Sequence, residues 1–140
     1  MILDQYHSEI ATLTARVFLG ILFLTQGYDA VFRVGFRNVI ETYRISFQDK
    51  GMPIFIIYLG TIFTLYTELI CGFLLIPGLC IYPCLYLLGA NVLVASLAFG
   101  ITTPMWDTKH VFPRLLLVLF LLLIPGEWHL FSLDQVLFNK

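Results

Sequence analysis

Charge is what this sequence has least of: Asp, Glu, Lys and Arg make up 12% of its 140 residues, against 59% hydrophobic ones, and the mean hydropathy is +0.90. That balance excludes an ordinary soluble domain and places the chain in the membrane class. There is no basic cluster and no interleaving of aromatic with basic residues, and the net charge is −1, so nucleic acid is not an expected partner. A glycine-rich phosphate loop, a dinucleotide fingerprint and iron–sulfur spacing are all missing. The three histidines, His7, His110 and His129, share no spacing that suits haem or a metal ion, and no metal site is expected. Three cysteines cannot close a disulfide set by themselves. Cys71, Cys80 and Cys84 lie in apolar segments, and their separation is not that of a Cys-x-x-Cys oxidoreductase, so small buried residues are the default and a redox dithiol the alternative. No basic region precedes the first apolar run, and residues 11–32 outlast a cleavable signal core, so the first helix is expected to remain as an anchor.

What is present is a series of long apolar runs at residues 10–34, 53–76, 79–99 and 111–131, each of the length a bilayer asks of a helix. The expected fold is all-α: a four-transmembrane-helix bundle forming one integral membrane domain over residues 1–140. Between the first two runs lies the most charged segment, residues 35–52. There Phe36, Val39, Ile40, Tyr43 and Phe47 recur at helical spacing while Arg37, Glu41 and Arg44 fall opposite, which predicts a short amphipathic helix on the membrane surface, a solvated loop being the alternative. Pro77-Gly78 makes a tight, uncharged turn, so the second and third spans must be antiparallel neighbours. The fourth is mostly leucine and is expected to meet the most lipid. Trp106, Trp128 and Tyr82 fall near span ends, where interfacial aromatics belong. Arg33, Arg37, Arg44, Lys50, Lys109 and Arg114 follow spans one and three, whereas only Arg16 and Lys140 lie on the other side. The basic residues thus point to a multi-pass protein of the cell (inner) membrane with both termini outside the cytoplasm.

Within the second run stands Glu68. A charge at the centre of a membrane helix costs roughly 2.5–3.5 kcal/mol, so this carboxylate must pair, protonate or touch water. Helical spacing sets Gly60, Thr61, Thr64, Glu68, Cys71 and Gly72 on one small, polar face suited to packing against another helix. Counting from the span ends at about 1.5 Å per residue puts Arg16 and Glu68 at similar depth, about 9 and 13 Å inside. They are expected to meet, either as an ion pair that fixes helix register or as part of a polar pocket. In the pocket reading, Glu68 titrates or hydrogen-bonds a quinone-like or other small ligand, with Thr64, Tyr66 or Cys71 assisting. A third alternative reserves the charge for another subunit. Gln26 and Asn91 fall near mid-bilayer and default to interhelical hydrogen bonds, and Asp29 with Arg114 forms a candidate second charge clamp near the interface.

Taken in order, Arg16 with Gly20, Gln26-Gly27, Gly51-Met52-Pro53, Glu68 with Gly72, Pro77-Gly78-Leu79, Arg114 and Ser132-Leu133-Asp134 resemble the DoxX family of small four-helix membrane proteins. The resemblance runs from about residue 15 to residue 137. Typical family positions map onto Arg16, Gly20, Gly27, Glu68, Gly72, Ser132, Leu133 and Asp134. Where relatives often carry His-Gly followed by a lysine, this chain has Gln26-Gly27-Tyr28-Asp29, so any role of that histidine is absent or altered. The resemblance implies a membrane component of oxidoreductase systems: a subunit that anchors or completes a larger quinone-linked redox complex, with other membrane or membrane-associated redox subunits and the lipid bilayer as partners. Quinone is the implied cofactor, with nothing bound covalently. A stand-alone quinone-dependent oxidoreductase, and a small transporter or proton path built on Glu68, are the alternatives.

Overall fold

A computed structural model describes residues 6–102 and 108–138, and among these every regular element is helical. Helix α1 (His7–Tyr28) runs through a π-helical segment (Asp29–Gly35) into α2 (Phe36–Phe47) and a short 3-10 turn (Gln48–Lys50). Gly51 closes that turn in the left-handed region, at φ +67°, before α3 (Ile54–Leu75), α4 (Ile81–Thr102) and α5 (Thr108–Leu123). A 3-10 turn (Gly126–His129) and α6 (Leu133–Phe138) complete the described chain. Helix α1 packs on α3, α3 on α4, α4 on α5, and α5 back on α1, so the four long helices form a closed ring around an apolar core that includes Leu19, Phe23, Leu75, Leu85, Leu88 and Leu121.

Three helical stretches are long and apolar enough to cross a membrane: the one that begins with α1 (His7–Lys50), α3 and α4. The leucine-rich stretch Val111–Leu123 is shorter. Its helix stops well before residue 131 because Pro125 disfavours helical geometry at the residue before it and the chain turns over Gly126. The amphipathic pattern of residues 35–52 does fold as a helix, α2, with Phe47 buried and Arg37, Glu41 and Arg44 exposed. Trp106 and Lys140 lie outside the described residues.

The tightest packing is between α1 and α3, where glycine lets backbones approach. A Cβ at Gly27 would sit 2.7 Å from the Leu69 nitrogen, and one at Gly72 would sit 2.5 Å from the Leu24 nitrogen. Small residues that bring backbones together are a main source of helix association in lipid, where burial of apolar surface contributes little. These contacts also fix register: Gly20 lies opposite Gly72 and Ile76, and Gly27 opposite Glu68 and Leu69, so the two helices run antiparallel.

At the end of the bundle holding the α3–α4 turn, the tail closes the ring. Leu133 and Asp134 donate their backbone N–H groups to the carbonyls of Pro77 and Gly78, at 3.1 and 3.0 Å. The Asp134 carboxylate accepts the N–H groups of Cys80 and Ile81, each at 2.9 Å, and so satisfies the otherwise open N-terminus of α4 from 53 or 54 residues away. Arg16, 1% exposed, donates to the Phe131 carbonyl from α1. Gly78 permits this crowding: its φ is +78°, and a Cβ there would meet the Ser132 Cβ at 2.7 Å and the Arg16 guanidinium at 2.8 Å.

Two outcomes follow for stability in detergent. Gly27→Ala or Gly72→Ala should each destabilise by about 1–3 kcal/mol because the clash is with backbone. Gly60→Ala should be near neutral, nothing lying within 4 Å of its added carbon; equal melting of all three variants would contradict the packing. Asp134→Ala should lose roughly 0.5–2 kcal/mol, the usual range for a lost helix cap, and thermal unfolding checks it.

Candidate functional site

Four long helices and α2 each send one polar side chain toward a common layer. Glu68 on α3 is 4% exposed and accepts a hydrogen bond from Asn91 Nδ2 on α4 at 3.1 Å. That is its one hydrogen bond to the described residues, and it engages Oε1, leaving the other carboxyl oxygen unpartnered. Asn91 is itself 1% exposed, and its Oδ1 has no donor. Arg114 on α5 and Tyr43 on α2 both lie within electrostatic reach of the Glu68 carboxylate. Gln26 on α1 precedes the glycine whose Cβ would touch the Glu68 backbone, and its Oε1 is buried without a partner.

Beside this layer opens a cavity of about 580 Å³. Gln26, Asp29, Tyr43 and Arg114 give its polar lining, Leu22 and Val39 part of its apolar wall. The π-helical segment shapes it. Its wider turn carries Asp29, Ala30 and Val34 along one side of the cavity and hands the chain to α2, which supplies Val39, Thr42 and Tyr43. Arg114 forms no ion pair among the described residues; its guanidinium stands 5.8 Å from the centre of the Phe23 ring, a cation–π arrangement. The cavity therefore offers a cation with free donors. Burial, with the Glu68 charge nearby, pushes the Tyr43 phenol up, so its hydroxyl remains protonated and able to donate.

The structure separates the two charges that depth alone brings together. Glu68 is level with Gly27, eleven residues and about 16 Å along α1 from Arg16. Arg16 belongs to the tail closure, at the other end of the bundle from the cavity. Depth counted from the ends of the apolar runs misleads here because α1 begins at His7 and extends past the α3–α4 turn, so that Arg16 is level with Gly78. The proposed clamp also fails to form. Asp29 pairs instead with Arg33, one turn on, at 3.3 Å, although Asp29 and Arg114 do line the same cavity.

Of the other candidates, Asn91 and Gln26 join the Glu68 layer. Tyr66 is 47% exposed and points away from it, Thr64 is half-buried, and Cys71 is buried against Cys84 on α4. Tyr43 was not among the residues singled out for chemistry. Its place on the apolar face of an amphipathic helix was visible in the sequence, but nothing there shows that this face folds over a buried acid.

Because Arg16 and Glu68 do not meet, the stability losses of Arg16→Leu and Glu68→Leu should add in the double variant to within about 0.5 kcal/mol. Substantial recovery in the double variant, measured by unfolding in detergent, would contradict this geometry.

Comparison with known proteins bears on the same helices. The DoxX family model matches residues 11–101, which takes in most of α1, all of α2 and α3 and nearly all of α4, with Gly27, Tyr43, Glu68 and Asn91. Arg114 and the Asp134 tail lie beyond the matched region. No curated protein and no solved structure matches the chain. A match over well more than half of the sequence, on an all-helical chain with several long apolar helices, is decisive: this membrane protein belongs to the DoxX family.

Proposed function

We propose that the chain is a four-span protein of the cell (inner) membrane that binds the head of a quinone in the cavity beside Glu68 and serves as a membrane subunit of a larger redox complex. The observation that carries this is the cavity itself. It is about 580 Å³, inside the roughly 300–1,000 Å³ range of small-molecule sites, and joins an apolar wall to a few convergent polar groups. A quinone is an apolar ring with two carbonyl oxygens. Arg114, without an ion-pair partner among the described residues, and the protonated hydroxyl of Tyr43 are donors for one carbonyl. Once the ring is reduced, its hydroxyl can give its hydrogen to an acceptor such as the unpartnered Gln26 Oε1. Glu68 stands behind this lining as a group able to exchange a proton with it.

The same chain has little with which to act alone. Among the described residues no cluster of three or more His, Cys, Asp or Glu is arranged to hold a metal, and the segments outside the apolar helices are too short to form a catalytic domain. In this reading the electrons originate in partner subunits, for which the exposed apolar faces of α3 and α4 leave room beside lipid. The fourth span in this reading is α5, whose 16 residues give about 24 Å of helix against a hydrocarbon core of about 30 Å, with the chain around Trp128 at the interface. The distribution of basic residues supports an orientation with both termini outside the cytoplasm.

Purification in mild detergent, organic extraction and ultraviolet spectroscopy test the reading. Near-stoichiometric quinone is expected with the wild-type chain, at least tenfold less with Arg114→Leu and an intermediate amount with Tyr43→Phe. Mass spectrometry of the same preparation should find redox subunits. Absence of both extracted and added quinone, together with a Glu68-dependent proton flux in proteoliposomes, would replace this reading with a proton path.

A further inference from the structure

Helices α3 and α4 fold back on each other about the Pro77-Gly78 turn, and the residues facing across their interface form successive layers. One layer is the Glu68–Asn91 hydrogen bond. Closer to the Pro77-Gly78 turn, by three residues on α3 and seven on α4, is a pair of thiols: Cys71 from α3 and Cys84 from α4, in hydrogen-bonding contact with each other and 3% and 2% exposed. They are positioned symmetrically about the turn, six residues before Pro77 and six after Gly78. Cys80, by contrast, is exposed and lies outside this interface, its backbone held at φ +50° beneath the Asp134 carboxylate. Two oxidisable side chains in contact, on neighbouring elements of one hairpin, meet the first requirement for a disulfide, that the chain need not be rearranged to bring the sulfurs together.

We propose that Cys71 and Cys84 are a redox-active dithiol that closes to an interhelical disulfide, with a quinone bound in the cavity described above as its two-electron acceptor. The second half rests on the quinone reading given above. In the step, both S–H bonds break and one S–S bond forms. Two electrons pass to the quinone, and two protons complete the quinol, so that dithiol plus quinone gives disulfide plus quinol. Glu68 lies three residues before Cys71 on α3, about 4.5 Å along the helix axis, and within electrostatic reach of Arg114, which lines the cavity. Its unpartnered carboxyl oxygen is placed to accept a proton leaving the thiols and pass it toward the ring. The buried pair is shielded from bulk water, which favours reaction with a membrane-borne oxidant over one in solution.

The test uses the full chain in detergent with Cys80→Ser, so that the pair alone reports. The protein is treated with diamide or with a short-chain benzoquinone, denatured, labelled with a maleimide and weighed intact. Untreated protein should take two labels and diamide-treated protein none, with the 71–84 linked peptide recovered after digestion; Cys71→Ser or Cys84→Ser should keep one label throughout. Benzoquinone should close the same bond and yield one quinol per disulfide. That closure should be at least tenfold slower in Arg114→Leu, which diamide still closes normally. Two labels surviving diamide would overturn the dithiol whatever the quinone result. Closure by diamide but not by benzoquinone, in protein that binds the quinone, would overturn the quinone as acceptor. Failure of the quinone to bind at all would instead remove the earlier reading and the acceptor with it, while closure by diamide would still sustain the redox pair.

Discussion

Backbone meets backbone where α1 crosses α3, and the rest of the molecule takes its register from that contact. Gly20, Gly27 and Gly72 remove the side chains that would hold the helices apart, and with Cβ positions only 2.5–3.0 Å from the opposing chain there is one depth at which the two fit. In lipid this matters more than in water, because an apolar helix has almost nothing to gain by hiding its leucines from acyl chains. Close approach supplies the attraction, and close approach is possible only in register. Every functional distance follows: Glu68 is carried to the level of Gly27 and the cavity, and Arg16 to the level of the Gly78 turn.

The two buried charges are answered in different ways. Arg16 ends on a backbone carbonyl in the tail, with its guanidinium against Gly78 and the Asp134 carboxylate acting on it from nearby. That carboxylate also caps α4 through two N–H groups, so one acid and one base tie α1, the α3–α4 turn and the C-terminal segment together. That network braces the fold, with the Arg16 Nε left without an acceptor among the described residues. Among the described residues Glu68 is answered by one amide hydrogen bond, with one carboxyl oxygen and the Asn91 Oδ1 left over, and the nearby Arg114, which lines a cavity, has no ion-pair partner. Incomplete satisfaction of buried polar groups is costly, and where it occurs beside open space it marks a place where something else can bind.

Membership of the DoxX family is carried by residues 11–101, yet the site is finished by parts outside that region. Arg114 comes from α5, and the tail that braces the opposite end comes after it. The matched helices and the completion of the cavity are thus separable, Arg114 coming from the last long helix. The thiol pair sits between the two ends, within the matched region, one turn from the carboxylate.

The all-helical class, the α3–α4 hairpin, the amphipathic α2 and the singularity of Glu68 were legible in the sequence because each depends on local pattern: run length, the Pro77-Gly78 turn, a 3.6-residue period, a lone charge among apolar neighbours. The length of the last apolar helix was less so, since an apolar run continues past Leu123 while the backbone stops at Pro125. Partners across helices were not legible at all. Depth counted from the ends of apolar runs brought Arg16 to Glu68 and Asp29 to Arg114, and both pairings dissolved because a helix may slide along its axis without changing its pattern. The sequence determined that Glu68 needs an answer and that α1 and α3 have faces fit to touch. Only the tertiary structure decided that the answer comes from Asn91, Arg114 and Tyr43, because spacing along one helix shows which face is fit to pack but not the depth at which the glycine contacts fix its neighbour.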